Sequence, residues 1–123
     1  NIVKSHYKIF FGDIFMVSNK IIPKFKYTVK DLNKKHPALT ISKCNTDGYS
    51  ILCPGTTKKQ YINRKIVHME TLPDNPLLYD TYFFLRLRFP LREETMRNTD
   101  VVNYIGRISP KQVSMLENKL YRS

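Results

Sequence analysis

The stretch Ala38–Cys53, ALTISKCNTDGYSILC, contains two short apolar runs on either side of the turn-forming residues Asn45–Gly48. Asn, Asp and Gly favour tight turns, and apolar runs of this length around such a turn are typical of a β-hairpin. The stretch therefore predicts two antiparallel strands, Ala38–Lys43 and Tyr49–Cys53.

Similar short apolar runs recur through the rest of the chain, bounded by Gly, Pro, Asn and Asp as in small antiparallel sheets. The further predicted strands are Lys8–Val17, Lys65–Glu70, Tyr82–Arg88 and Val101–Ile105. In Tyr82–Arg88 the residues alternate so that Arg86 and Arg88 point outward from one face. The pattern predicts a mainly β fold with two guanidinium groups on an exposed sheet face.

The C-terminal segment carries the signature of a helix N-terminus. Ser109 is a typical N-cap, the proline after it suits the first helical position, and Gln112 completes a capping box. Leu116 and Leu120 follow at helical spacing. We therefore predict a helix over Pro110–Tyr121 that packs on the sheet and has a structural role.

The size and the charge of the chain indicate one basic domain. With 123 residues, of which 41% are hydrophobic, the chain is long enough for one core, so we expect a single domain over residues 1–123. Twenty-one Lys and Arg against ten Asp and Glu give a formal net charge of +11. Eleven of the basic residues but only two acidic ones lie between Lys20 and Lys65. This concentration predicts a site for a phosphate-rich or otherwise acidic partner.

The composition and the motifs exclude several other classes. No apolar run approaches the roughly 20 residues that span a bilayer, so the sequence does not predict a membrane protein. Cys44 and Cys53 are too few for a disulfide scaffold, and we interpret them as reduced core thiols of a cytoplasmic protein. The common phosphate-loop, dinucleotide and zinc motifs are absent, so neither a metal nor a cofactor is indicated.

Four short motifs, in order along the chain, carry a resemblance to a known family. They are Gly12–Val17 (GDIFMV), His36–Ser42 (HPALTIS), Leu52–Lys58 (LCPGTTK) and Gly106–Pro110 (GRISP), with a basic loop between the first two. In this order they resemble the MazF/PemK family of toxin endoribonucleases. The resemblance implies a small SH3-like antiparallel barrel with a C-terminal α-helix, acting as a homodimer.

The resemblance also implies a function and partners. Members of the family are toxins of toxin-antitoxin systems and cleave single-stranded RNA at short sequences without a metal ion. The products carry a 2′,3′-cyclic phosphate and a 5′-hydroxyl. The implied protein partner is an antitoxin whose acidic, disordered tail occupies the same basic groove and excludes RNA.

Candidate catalytic residues follow from the same resemblance, and candidate RNA-binding residues from the pattern of charge. The catalytic candidates are His36, Thr56 and Thr57, and His36 stands where the family has an arginine. A histidine can act as a general acid or base near neutral pH, but it lacks the permanent bidentate charge of arginine. The candidate RNA-binding residues are Lys24, Lys26, Lys30, Lys34, Lys35, Lys58, Lys59, Arg86 and Arg88. Phe25 and Tyr27 interleave with the loop lysines, either to stack bases or to anchor the loop on the core.

The replacement of the family's arginine leaves two alternatives open. One is a non-catalytic SH3-like module that binds nucleic acid or an acidic protein tail through the same basic loop. The other is an inhibitor of a protein target such as a topoisomerase, since toxins of the same barrel shape include such inhibitors. Binding to RNA that depends steeply on salt but yields no cut products would favour the first alternative, and a supercoiling assay would identify the second.

Overall fold

A computed structural model describes residues 8–25, 30–42 and 48–121 of the chain. The strands in these ranges are β1 (Asp13–Ser18), β2 (Lys35–Thr40), β3 (Tyr49–Thr56), β4 (Ile66–Met69), β5 (Thr81–Phe84), β6 (Phe89–Arg92) and β7 (Val102–Arg107). The helices are α1 (Glu93–Met96) and α2 (Pro110–Tyr121), and short 3₁₀ turns lie at Asn19–Ile21 and Leu85–Leu87.

The described strands form one seven-stranded sheet in which every pairing is antiparallel. The order is β4, β5, β3, β2, β1 and β7, with β6 also beside β3. The predicted mainly β class is therefore confirmed. The predicted hairpin corresponds to β2 and β3, which pair through Ala38 and Pro54. Of its predicted turn, Asn45–Asp47 lie outside the described residues.

The described sheet is open, whereas the sequence predicted a barrel. Its end strands, β4 and β7, are not paired with each other. The connection 70–80 and α2 lie across this gap instead. Pro76 lies so close to Gly106 of β7 that a Cβ on this glycine would be 2.9 Å from the proline ring. Gln112 of α2 donates a hydrogen bond of 3.0 Å to the carbonyl oxygen of Glu70. Side-chain contacts thus fill the space that a closing strand pair would occupy.

Two apolar clusters bury the two faces of the sheet. Because side chains alternate along a strand, Phe15, Ala38 and Leu52 belong to one cluster, and Ile14, Leu39 and Cys53 to the other. The first cluster includes Ile22 and Phe25 from the connection after β1. The second includes Leu116 of α2. We call the two sides of the sheet the Phe15 face and the Leu39 face.

The predicted strand Tyr82–Arg88 is wrong beyond Phe84, where a 3₁₀ turn separates β5 from β6. β6 pairs with Tyr49–Leu52 of β3 and β5 with Gly55–Thr56, so the chain changes course beside Pro54. Along a strand of an antiparallel pair, the backbone N–H groups point alternately to one neighbouring strand and to the other. Because the Ile41 N–H bonds to the Ile51 carbonyl, this alternation points the Pro54 nitrogen away from β2, toward β5 and β6. Since proline has no N–H, a ladder bond is missing at this step.

The predicted C-terminal helix is confirmed as α2, with the bounds Pro110–Tyr121. Its capping box is formed as expected. The Gln112 N–H donates to Ser109 Oγ at 3.2 Å, and the Ser109 N–H donates to Gln112 Oε1 at 3.1 Å. The local sequence signals at this end of the chain were thus sufficient to predict the helix and its N-terminal cap.

Candidate functional site

The lysine-rich segments identified in the sequence lie together at one end of the sheet. β1 ends and β2 begins there, because Ser18 pairs with Lys35. β3 runs antiparallel to β2 and therefore also ends there, at Thr56. The connection 19–34, with five lysines and one aspartate, lies next to Lys58 and Lys59. We call this region, formed by residues 19–36 and 56–59, the basic end.

His36 lies in β2 at the basic end and is held by two residues of the preceding connection. Its Nδ1 lies 2.5 Å from Oδ1 of Asn19, which is almost fully buried. The Asn19 Nδ2 donates to the Asp31 carbonyl at 2.8 Å, and this bond assigns the amide oxygen to His36. The ring of Phe25 meets the imidazole edge-on, with the ring centroids 4.7 Å apart.

These contacts determine the form of the imidazole. An amide oxygen only accepts hydrogen bonds, so Nδ1 of His36 carries a hydrogen and donates it. In the neutral ring the lone pair then resides on Nε2. Burial lowers the pKa of His36 below its ordinary value of 6.5. His36 is therefore mainly neutral at pH 7, with Nε2 as the basic atom.

Thr56 lies across from His36 on the neighbouring strand. The β2–β3 ladder pairs Ala38 with Pro54, and extending that register by two residues sets Thr56 opposite His36 on the Phe15 face. The ladder ends before this point because Pro37 lacks the N–H that would bond to β3. Thr56 Oγ1 accepts the Lys58 N–H at 3.2 Å, and its hydroxyl hydrogen remains available for donation.

The other candidate residues divide into those at the basic end and those elsewhere. Thr57 is exposed, as are the basic residues Lys24, Lys30, Lys34, Lys58 and Lys59. Lys35 is partly buried, and its Nζ donates a hydrogen bond to Oδ1 of Asn103 in β7. This bond indicates a structural role for Lys35 in addition to its charge. Lys26 and Tyr27 lie outside the described residues.

Arg86 and Arg88 do not lie at the basic end, and they do not share a strand face. Arg86 is in the 3₁₀ turn, and the Arg88 Nε donates to the Leu85 carbonyl at 2.9 Å. Both follow β5, which runs away from the basic end, and β3 lies between them and β2. The prediction that they share an exposed strand face is therefore wrong, whereas their role in RNA binding stays a prediction.

Several contacts at this end had no signal in the sequence. A buried Asn19 cannot be distinguished from an exposed one by its neighbours, and nothing marks it as the partner of His36. Phe25 is buried in the Phe15-face cluster, which settles its role as a loop anchor. On β4 and β5, His68 stacks on Tyr82 with centroids 4.6 Å apart and bonds to Asp80 at 3.3 Å.

The acidic groups and the thiol set further limits on the chemistry here. Asp31 belongs to the basic end, and Glu70 and Asp80 lie near it, after β4 and before β5. Hydrogen bonds from Thr71 and His68 lower the pKa of Asp80. Burial raises the pKa of Cys53 to about 12, so this core thiol is protonated and unreactive near neutral pH. Cys44 lies outside the described residues.

The comparisons with known proteins add no assignment. No family model matches the chain, and no curated protein matches it. The likeness to MazF/PemK toxins thus depends on the four sequence motifs alone. Within residues 8–25, 30–42 and 48–121, no group of three or more His, Cys, Asp or Glu is placed to hold a metal ion. In the same ranges no helix has the length and apolar character needed to cross a membrane.

Proposed function

We propose that this protein is a metal-independent endoribonuclease that cleaves single-stranded RNA at its basic end, with His36 as the general base. The observation that carries the proposal is the bond between His36 and Asn19. It makes Nε2 the basic atom of a histidine that is neutral at pH 7, beside a threonine hydroxyl and several exposed lysines. A general base works best when its pKa lies near the working pH.

The proposed reaction uses only groups of this chain and the RNA. Nε2 of His36 takes the proton of a ribose 2′-hydroxyl, and the 2′ oxygen attacks the adjacent phosphorus. The bond from phosphorus to the 5′ oxygen breaks, and that oxygen takes a proton from solvent. The products are a 2′,3′-cyclic phosphate and a 5′-hydroxyl. Thr56 donates a hydrogen bond to the phosphate, and exposed lysines such as Lys34 and Lys58 offset its increased charge.

The wider setting of the proposal follows the family resemblance. The chain is a MazF/PemK-like toxin with an SH3-like fold, active in the cytoplasm as a homodimer. An antitoxin with an acidic tail binds the basic end and competes with RNA. The charge of the described segments supports this, because Lys24, Lys30 and Lys34 are all exposed in one connection.

The direct test is incubation of the full chain with a long unstructured RNA in EDTA, followed by mapping of the product ends. We expect discrete cuts that carry cyclic phosphate, and their loss in His36→Ala. His68→Ala is the matched control, because it removes a histidine of β4 that bonds to Asp80 and has no contact with Asn19. Equal cleavage by the wild type and His36→Ala would remove His36 from the mechanism.

A non-catalytic RNA-binding module is the second candidate, and one observation favours it. The His36 ring is packed against buried Phe25 and bonded to Asn19, as a purely structural histidine would be. This candidate predicts RNA binding with intact RNA in the same assay. Salt-dependent binding without cut products at any pH between 5 and 8 would establish it over the endoribonuclease.

A further inference from the structure

A cavity of about 510 Å³ opens on the Leu39 face of the sheet, at the same end as His36. Met16, Pro37 and Thr81 form its floor on three strands. Leu78 and Tyr79, from the connection before β5, form one wall. Its volume lies in the range of small-molecule sites. Neither His36 nor Thr56 lines the cavity, whereas Thr57, the third catalytic candidate from the sequence, does.

The lining of the cavity combines apolar surface with a few hydroxyl groups. Tyr79 is 68% exposed and Leu78 is 84% exposed, so two large apolar side chains stand at the rim without cover from the described residues. Thr57 and Tyr79 have no hydrogen-bond partner for their hydroxyls among the described residues. An exposed aromatic ring beside lysines is the usual arrangement for stacking single-stranded bases.

The cavity and His36 lie on opposite faces of the same strand ends. Pro37 follows His36 in β2, so their side chains point to opposite faces, and Thr57, directly after the end of β3, lines the cavity. An RNA strand that passes over the ends of β2 and β3 therefore reaches both sites with neighbouring nucleotides. Lys58 and Lys59 are exposed and come directly after Thr57, which lines the cavity, so their positive charge lies near it.

We propose that this cavity binds one nucleobase of the RNA, adjacent to the nucleotide whose phosphate lies at His36. The inference rests on the proposal that single-stranded RNA is the substrate, and it assigns a base-binding role to Tyr79 and Thr57. Tyr79 stacks on the base, and the Thr57 hydroxyl bonds to the base edge. An acidic peptide with an aliphatic anchor would use the lysines and the apolar wall but would offer Tyr79 no planar ring to stack on.

The test measures binding separately from cleavage, in a His36→Ala background that keeps the RNA intact. Fluorescence anisotropy compares a single-stranded oligonucleotide with an abasic oligonucleotide of the same length and charge. We expect Tyr79→Ala to weaken binding of the base-containing strand about tenfold and to leave the abasic strand unchanged. Tyr61→Ala is the matched control, since Tyr61 is 92% exposed and does not line the cavity.

A second measurement locates the base without any substitution. Titration of the isotope-labelled chain with the four nucleoside 5′-monophosphates should shift the amide signals of Thr57, Leu77 and Tyr79 for at least one base. Inorganic phosphate at the same concentration should not shift them. Equal losses of both strands in Tyr79→Ala, or an acidic peptide that shifts these signals when no nucleotide does, would overturn the inference. Base-dependent binding by a chain that never cuts RNA would support the cavity and contradict the endoribonuclease.

Discussion

Among single residues, Asn19 determines what His36 can do. A histidine that replaces an arginine loses a fixed positive charge, so it contributes to phosphate chemistry only if it is in the right protonation state. The Asn19 amide oxygen holds the hydrogen on Nδ1, and burial lowers the pKa of the ring. Both effects favour a base over a cation. In the proposed reaction, the exposed lysines supply the positive charge that an arginine supplies in MazF/PemK toxins.

Replacement of Asn19 by Asp should reverse that preference. A carboxylate beside Nδ1 stabilises the imidazolium and raises the pKa of His36, so the acid limb of the cleavage profile should move to higher pH. The measurement is the cleavage rate in EDTA between pH 5 and 8 for wild type and Asn19→Asp. Asn33→Asp adds the same charge to the exposed part of the connection and should leave the limb in place. An unchanged limb in Asn19→Asp would mean that His36 is not the titrating group.

At the level of elements, the sequence predicted those that local signals define. The capping box around Ser109 and Gln112 and the apolar spacing after it determined α2 to the residue. The predicted strand Tyr82–Arg88 was wrong beyond Phe84, where a 3₁₀ turn interrupts it. This interruption depends on Pro54, which belongs to a different strand. The open sheet and the contact of Asn19 with His36 likewise depend on residues that are distant from each other in sequence. Such contacts leave no periodic signal in the chain.

The capping box offers a test of how α2 is held on the sheet. Ser109→Ala removes the acceptor for the Gln112 N–H and should lower the free energy of unfolding by about 1 kcal/mol. Ser114→Ala, at an exposed position inside the same helix, should have little effect or stabilise slightly. Urea unfolding of the two variants measures the difference. Equal stabilities would show that the cap does not contribute.

For the whole molecule, topology explains why the charge is concentrated. The net charge of +11 could be spread over the surface, but β1, β2 and β3 bring the connection 19–34 and Lys58–Lys59 to one end of the sheet. Arg86 and Arg92 are exposed but lie away from that end. The described residues therefore form a basic region suited to a polyanion, with a histidine and a cavity at the same end of the sheet.

Salt dependence of RNA binding tests this distribution of charge. Each phosphate contact with single-stranded RNA contributes about 0.7 to the slope of log K against log salt. Lys58→Gln with Lys59→Gln should therefore reduce the slope by about 1.4. Arg86→Gln with Arg92→Gln removes the same charge elsewhere and should change the slope little. Similar reductions in both double variants would indicate binding through overall charge alone.

The central claim is that neutral His36 is the base in a metal-free cleavage of RNA, and the rate of that cleavage against pH tests it most directly. In EDTA, under single-turnover conditions, the rate of cyclic phosphate formation should rise with pH and level off. The midpoint should lie below 6.5, because burial lowers the pKa of His36. His68→Ala should keep the profile and His36→Ala should lose it. RNA that stays intact at every pH while binding is demonstrable, or a profile unchanged in His36→Ala, would contradict the account.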